Sequence, residues 1–436
     1  MKPHFFFAVA LGAAMSAVVL AESQRITPIQ PQSLFGVGTA PPPQAGSDEA
    51  SPFFDDTVLQ EIRLTINTKD WQTLKNNYLL NDYYPCDMTW RGQTVRNIGI
   101  RSRGTGSRSG IKPGLRVDFD RYTTNQKFLG LKSFVLRNNT QDQTNMHERL
   151  SMLLFRKAGE SGSREAHVKM FVNEAYEGLF TIVESLDKTF LKKNLGEDTG
   201  YLYKYDYPAD GTPYYFEDKG PDPNSYVPLP FKPETNETAP QPEVVAQWVQ
   251  AVNQASDAAL LTTLADYLDV PKFLTHLAVE VYVADYDGFV GNYGINNFYV
   301  YRFNNRKLFQ LLPWDKSEAF KATPDAPIFH NIDNSVAPAQ RNRLVARLLA
   351  NPTVYNQFLD TLAKVASVAA EPGASDSRGW LEREVQFEYT QIHDAAYADT
   401  SKPYTNAEFE ASVVSLLDYA RNRSPQVNAQ IAAARH

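Results

Sequence analysis

The sequence predicts an α+β protein of two lobes, the first rich in strands and the second mainly helical. Three observations carry this expectation. Short apolar runs with strand-like alternation, punctuated by turn residues, recur between Leu59 and Glu184. They are interrupted once, over residues 142 to 158, where Met146, Leu150, Leu153, Leu154 and Phe155 fall at helical spacing. Beyond Pro242 the apolar period is helical over most of the remaining chain. With 436 residues, 43% hydrophobic and 12% aromatic content, the chain can bury a core large enough for two lobes of one unit.

The first residues read as an export signal, residues 1–21: Lys2, an apolar run from Phe5 to Leu20, and a small residue for cleavage at Ala21. That run is about sixteen residues, short for a membrane span, and nothing later could cross a bilayer, so no stable membrane insertion is expected after cleavage. Residues 22–50, with Pro28, Pro31 and Pro41-Pro-Pro, form a flexible leader. The formal charge of −7, without a long basic run, argues against nucleic acid or anionic membrane as a general partner. A single cysteine, Cys86, excludes an internal disulfide and a Cys-based zinc cluster, and with no His nearby in sequence it reads as a semi-buried filler.

The N-terminal lobe is expected over residues 51–184. Leu59–Ile66 reads as its first strand, Asp70 as the cap of a short helix, and Cys86–Ile100 as strands around an Arg91-Gly92 turn. Strands continue to Leu136, the helix over 142–158 follows, and Val168–Glu184 returns to strand. Asp187 is placed to cap a helix beginning at Lys188. The C-terminal lobe, residues 185–436, opens with a Pro-rich insertion over 207–242. Three helices then follow, the last capped by Asp269 with Pro271 in its first turn, and further helices occupy 341–370 and 376–432. His276 on the third helix reads as a packed or surface histidine, since no second ligand stands at metal spacing.

The chemistry concentrates in Asp285-Tyr-Asp287-Gly-Phe-Val-Gly-Asn292, followed after an aromatic hairpin by Pro313-Trp314-Asp315. An Asp, an Asn five residues on, and a second Asp beyond two strands are the polar groups of a protein-kinase-type phosphotransfer site. The first Asp takes the proton of the attacking hydroxyl; the Asn and the later Asp hold the metal ions. Asp287, Asn292 and Asp315 fill those roles, with the hairpin Asn297–Leu312 folding Asp315 back toward Asp287. Read singly, Asp287-Gly288 is also an ordinary turn and Asp315 an ordinary helix cap; their joint spacing is what points to chemistry.

In the same order this stretch resembles the spore-coat CotH kinase family of secreted atypical kinases. Upstream segments agree: Gly99–Arg108 followed by Lys112 and Leu115–Asp120, Val172–Lys188, and Gly200–Asp206, so that the resemblance spans about residues 55 to 320. It implies a two-lobed kinase-like fold with ATP and Mg²⁺ or Mn²⁺ as cofactors. The loop Arg103-Gly104-Thr105-Gly106 could cover phosphate, with either Lys112 or Arg116 as the pairing cation and Glu148 as its ion-pair partner. Glu184, ending the last strand before the second lobe, marks a hinge whose backbone could touch adenine, and Lys204 could reach the nucleotide from that side. Asp285 could be the base, or could orient Asn292 from behind, and Trp314 packs at the site. Two departures from the family pattern stand out: Gly104-Thr105-Gly106 replaces the usual Gly-Asn-Ser, and Lys316-Ser317-Glu318 follows Asp315 where a second acidic residue is common.

The expected protein is therefore an exported or cell-envelope kinase acting on Ser or Thr of an exported or surface protein, or on itself. The rival readings are a non-catalytic binding or adhesion protein on the same fold, and a polysaccharide hydrolase built on Asp285, Asp287 and Asp315.

Overall fold

The computed structural model describes residues 48–208, 210–333 and 336–435. The expected export segment and most of the expected leader lie outside the described residues. Among the described residues no helix is long and apolar enough to cross a membrane.

Seven strands close into a barrel: β1 (Gln60–Ile66), β2 (Tyr84–Trp90), β3 (Gln93–Ser102), β4 (Leu115–Asp118), β5 (Ser133–Arg137), β6 (Glu165–Val172) and β7 (Ala175–Glu184), in the order β1-β2-β3-β4-β5-β7-β6. Only the closing pair, β1 with β6, is parallel. Alternation explains the closure. Ile62, Leu64, Met88, Ile98, Ile100, Val117, Phe134 and Leu136 all point inward and are buried. Phe53, from the segment before β1, fills the interior with its ring edge-on to Trp90, Phe128 and Phe134 at 5.0–5.8 Å. The Arg91-Gly92 turn joins β2 to β3 with both residues at positive φ, +46° and +75°, as a tight hairpin with right-handed twist requires. The expected Val168–Glu184 strand is a hairpin of two, β6 and β7, turning at Asn173-Glu174.

Helix α1 (Thr68–Asn76) is capped by Asn67, whose side chain accepts from the Lys69 amide; Asp70 instead lies in the first turn, where its charge suits the helix dipole. Helix α2 (His147–Lys157) is the single helical interruption between β5 and β6, and nearly all of it is buried. Beyond β7, Asp187 caps α3 (Lys188–Leu195) as expected, accepting from the amides of Thr189 and Phe190. Strands β8 (Tyr201–Tyr205), β9 (Phe231–Pro233), β10 (Phe298–Arg302) and β11 (Phe309–Pro313) form a second sheet in the order β11-β10-β8-β9. The segment 207–242 is thus no surface insertion. It supplies β9, and its Tyr214, Phe216, Tyr226 and Phe231 are buried in the helical core, Phe216 against Trp248 at 4.8 Å.

The helices that follow are α4 (Pro242–Gln254), α5 (Leu260–Leu264), α6 (Val270–Tyr282), α7 (Arg343–Leu349), α8 (Pro352–Ala369), α9 (Trp380–Ala398) and α10 (Asn406–Ala434). Asp269 caps α6 through the Lys272 amide with Pro271 in the first turn. The strand-rich and helical portions form one compact unit, because α9 returns to the barrel. At its end Asp399 accepts from the Leu179 amide and from Lys112 Nζ (2.6 Å), and a Cβ at Gly178 (φ +134°) would lie 2.6 Å from its carboxylate. On α9 itself, Glu384 and Glu388 meet Arg149 of α2, and Glu388 also meets His167 of β6 at 2.9 Å.

This buried cluster sets a pH dependence. Burial and the neighbouring Arg149 pull His167 down from 6.5 to about 3, while burial, working against Arg149, pushes Glu388 up from 4.5 to about 8. Between pH 4.5 and 6.5 the folded pair holds one proton on Glu388 and the unfolded chain one on His167, so the two states balance. Above that window the folded form keeps a proton the unfolded chain has lost; below it the unfolded chain gains a second proton first. The parent's urea midpoint, relative to a His167→Gln/Glu388→Gln variant, is expected to be flat across the window and to fall on either side. A difference changing steadily through the window would contradict the assignment.

Candidate active site

A cavity of about 490 Å³ opens where the β3–β4 connection of the barrel faces the second sheet. The hairpin of β10 and β11 builds its floor. Phe298 pairs with Pro313, so the residues flanking the hairpin, Asn297 and Trp314, become neighbours, and the Trp314 amide donates to the Asn297 carbonyl. Asp315 follows directly, in the left-handed region (φ +54°), where a non-glycine residue is sparsely populated and its side chain is aimed by the surrounding structure. Twenty-eight positions of sequence collapse in this way, and Asp287 and Asp315 line one cavity.

Asp287 is held by two amides. Asn296 Nδ2 donates to its Oδ1 at 3.0 Å and Asn297 Nδ2 to its Oδ2 at 2.8 Å. Burial pushes its carboxyl above the usual carboxylate range, the Asn296 hydrogen bond pulls it down, and the charge of Asp315 adds to the rise. Asp285 lies behind it, fully buried, and accepts from the Asp287 amide at 3.2 Å. Its carboxylate pairs with Lys316 Nζ at 2.9 Å, so Asp285 orients Asp287 rather than Asn292.

Asp315 bonds Arg137 at 2.5 Å through Oδ1, and Arg137 reaches Glu148 on α2 with its other arm at 3.1 Å. Burial raises the Asp315 carboxyl, but the guanidiniums of Arg137 and Arg103 outweigh it and hold the group below its ordinary value. Glu148, the more distant partner of Arg137, is pushed up by burial to about 7. The ion pair expected of Lys112 or Arg116 is thus made by Arg137, at the end of the strand that leads into α2. Lys112 does not face the cavity: it is buried on Asp399 and the Leu179 carbonyl. Arg116 does line it, with only a long contact to Ser133.

Arg103 and Lys204 also point into the cavity, and neither forms an ion pair with a described residue. Burial and the repulsion of Arg137 draw Arg103 down to about 10, still a cation at neutral pH, with its guanidinium 5.7 Å over the Trp314 ring. Burial likewise lowers Lys204, against the pull of Asp206. Gly104 and Gly106 line the same wall. At Gly104 (φ +109°) an added Cβ would meet Ser107 Oγ at 2.5 Å, and Arg108 ties the loop to the carbonyls of Gly104, Tyr78 and Leu80. Trp314 packs edge-on to Tyr299 at 5.4 Å, and both line the cavity.

Two further expected residues, like Lys112, stand elsewhere. Asn292 is turned outward, its Oδ1 taken by His330 Nε2 (2.7 Å) and Asn331 Nδ2 (2.9 Å), because the tight Gly291–Gly294 loop carries it away from Asp287. Glu184 pairs with Arg164 beside the barrel, while its successors Ser185, Leu186 and Asp187 do line the cavity. The residues that sequence reading passed over are Arg137, Asn296, Asn297 and Lys316. An Arg closing the buried run Phe134-Val-Leu, and a pair of asparagines entering an aromatic strand, were the available signals.

A profile of the family described as CotH kinase protein matches residues 100–427. The chain belongs to the CotH kinase protein family. The CotH match begins later than the resemblance at residue 55 and continues through α7–α10, which carry only amphipathic periodicity and no short motif. Inner spore coat protein H of Bacillus subtilis (strain 168) is 24% identical over 366 residues, covering 83% of this chain and 94% of that protein. Spore coat protein homolog 1 of Rhizopus delemar is 22% identical over 331 residues, 71% of this chain but 51% of that longer relative. Among solved structures, the Helicobacter pylori proinflammatory kinase CtkA overlaps 70% of this chain and 92% of its own at 8% identity, with a TM-score of 0.27.

The donor set fits a hard cation shared with a phosphate ligand. Asp315, Asn296 and Asn297 line the cavity, and no described residue donates a hydrogen bond to Asp315 Oδ2 or to the side-chain oxygens of the two asparagines. No group of three or more His, Cys, Asp or Glu is placed for a metal among the described residues, so such an ion would depend on ligand oxygens and water, the habit of Mg²⁺.

Proposed function

We propose that this CotH-family chain is a metal-dependent protein kinase that moves the γ-phosphoryl group of ATP to a Ser or Thr hydroxyl. The observation that carries this reading is one cavity lined both by Asp287, held on two asparagine amides, and by the cations Arg103, Arg116 and Lys204. Asp287 accepts the proton of the attacking hydroxyl. Arg103 and Lys204 bind phosphate oxygens, the Gly104–Gly106 loop lies over them, and Ser185–Asp187 offer backbone groups to the base. Asp315, with ligand oxygens and water, would hold a Mg²⁺ or Mn²⁺ ion, which would supply charge neutralisation to the phosphoryl group. In-line transfer breaks the bond between the γ-phosphorus and the β–γ bridging oxygen and forms one to the acceptor oxygen, leaving ADP and a phosphoester.

The acceptor is an exported or surface protein. The apolar segment Phe5–Leu20 supports export, and the relatives named for spore coats support an extracytoplasmic setting. A second reading, nucleotide binding without transfer, draws on the outward turn of Asn292, which leaves the cavity with one fewer amide ligand.

Label from γ-labelled ATP decides between them. The mature protein with Mg²⁺ or Mn²⁺ is expected to incorporate label into itself or a serine-rich acceptor, and Asp315→Asn to lose metal-dependent binding and label together. Metal-dependent ATP binding without incorporation would favour the second reading. No ATP binding would remove both.

A further inference from the structure

Lys316 carries no role in the reading above, yet its ammonium is fully buried beneath the cavity floor and donates to three groups. These are Glu280 Oε1 at 2.6 Å, Asp285 Oδ2 at 2.9 Å and the Asn297 carbonyl at 3.1 Å. Two of these partners in turn hold Asp287. Asp285 Oδ1 accepts the Asp287 amide, and Asn297 Nδ2 donates to both the Asp287 carboxylate and its carbonyl. The main chain of the same residue works on the other side of the site. The Lys316 amide donates to Glu148 Oε2 at 2.5 Å, and Glu148 meets Arg137, which meets Asp315. One residue therefore ties the Asp287 half of the cavity by its side chain and the Asp315 half by its backbone.

We propose that Lys316 is a positioning residue that sets the placement of Asp287 relative to Asp315. Its consequence for transfer rests on the kinase reading. The geometry explains why a buried cation follows Asp315 here. Glu280 and Asp285 enter the interior as two carboxylates at the end of α6 and the turn after it, and of the three N–H donors of the ammonium two go to them and the third to the Asn297 carbonyl. A hydrophobic side chain at this position would leave that carbonyl with the Trp314 amide alone, at 3.3 Å, and loosen the hold of Asn297 on Asp287. Misplacement of a reacting group by about 1 Å costs roughly a hundredfold in rate without touching groups that only bind.

Because Lys316→Met alone strands two buried carboxylates and risks unfolding, the test uses the neutral triple variant Glu280→Gln/Asp285→Asn/Lys316→Met beside the parent. A crystal structure, titration with a non-hydrolysable ATP analogue and Mg²⁺, and label transfer are measured on the same preparations. The expected result is a folded variant that binds the analogue within about threefold of the parent, transfers label about a hundredfold more slowly at saturating ATP, and has lost the Asn297–Asp287 contact. The proposal is overturned if that contact survives, or if affinity and transfer fall together. If the parent itself transfers nothing, the kinase reading fails, while the Asn297–Asp287 contact in the variant still decides the positioning role.

Discussion

Asp287→Asn is expected to abolish nearly all phosphotransfer while leaving the fold and nucleotide affinity in place. The substitution keeps the size of the side chain and removes its capacity to take a proton. A positioned general base is worth roughly 10²–10⁴-fold, so kcat should fall by about that factor with KM for ATP little changed. Asp287 shares the cavity with the cations and is held by Asn296 and Asn297, and its carboxylate offers phosphate no donor. The pH profile gives an independent check. Burial and Asp315 lift the Asp287 carboxyl above its ordinary 3.8, and a base works only when deprotonated. Activity is therefore lost as pH falls, with the acid limb of kcat/KM lying above the range of an unperturbed aspartate. Stopped-time label transfer across pH would reveal that limb in the parent and its absence in the residual activity of Asp287→Asn. An unchanged limb would place the base elsewhere.

Lys112→Met is expected to destabilise the protein strongly and to leave nucleotide affinity alone. Lys112 and Asp399 are each about 1% exposed and lie 2.6 Å apart. Burial lowers the Lys112 ammonium below its ordinary value, and the charge and hydrogen bond of Asp399 oppose that fall. Removing one partner of a buried ion pair strands the other charge, at a cost of about 3–5 kcal/mol. The Asp399 carboxylate keeps the Leu179 amide and the Ser401 hydroxyl, which places the loss toward the lower end. Urea unfolding measures the loss, and titration of the folded fraction with an ATP analogue measures the rest. A variant of parental stability with weakened nucleotide binding would restore Lys112 to the phosphate-pairing role that its sequence position suggested.

That contrast shows where sequence reading stops. A lysine after a glycine-rich loop reads equally as a phosphate ligand and as a buried partner, because the deciding carboxylate, Asp399, lies at the far end of α9. Arg137 went unrecognised for the same reason: although Glu148 stands in the next helix, its other partner, Asp315, lies 178 residues on, and only the tertiary fold makes them one triad. The five-residue interval from Asp287 favoured Asn292. The Gly291–Gly294 turn instead sends that side chain to His330 and brings in Asn296 and Asn297.

Local periodicity and turn chemistry by themselves determined the strand-rich first half with a helix between β5 and β6, the Arg91-Gly92 hairpin, the Asp187 and Asp269 caps, and the hairpin that delivers Asp315 toward Asp287. Each depends on residues within a few positions of one another, so the information is contiguous. The tertiary structure alone decided which cations reach the cavity, which asparagines hold the carboxylate, and that Tyr214, Phe216, Tyr226 and Phe231 of the 207–242 segment enter the core. Those outcomes depend on burial and charge pairing between segments tens to hundreds of residues apart. In a low-dielectric interior the cost of an unpaired charge selects the partner, whatever its distance along the chain.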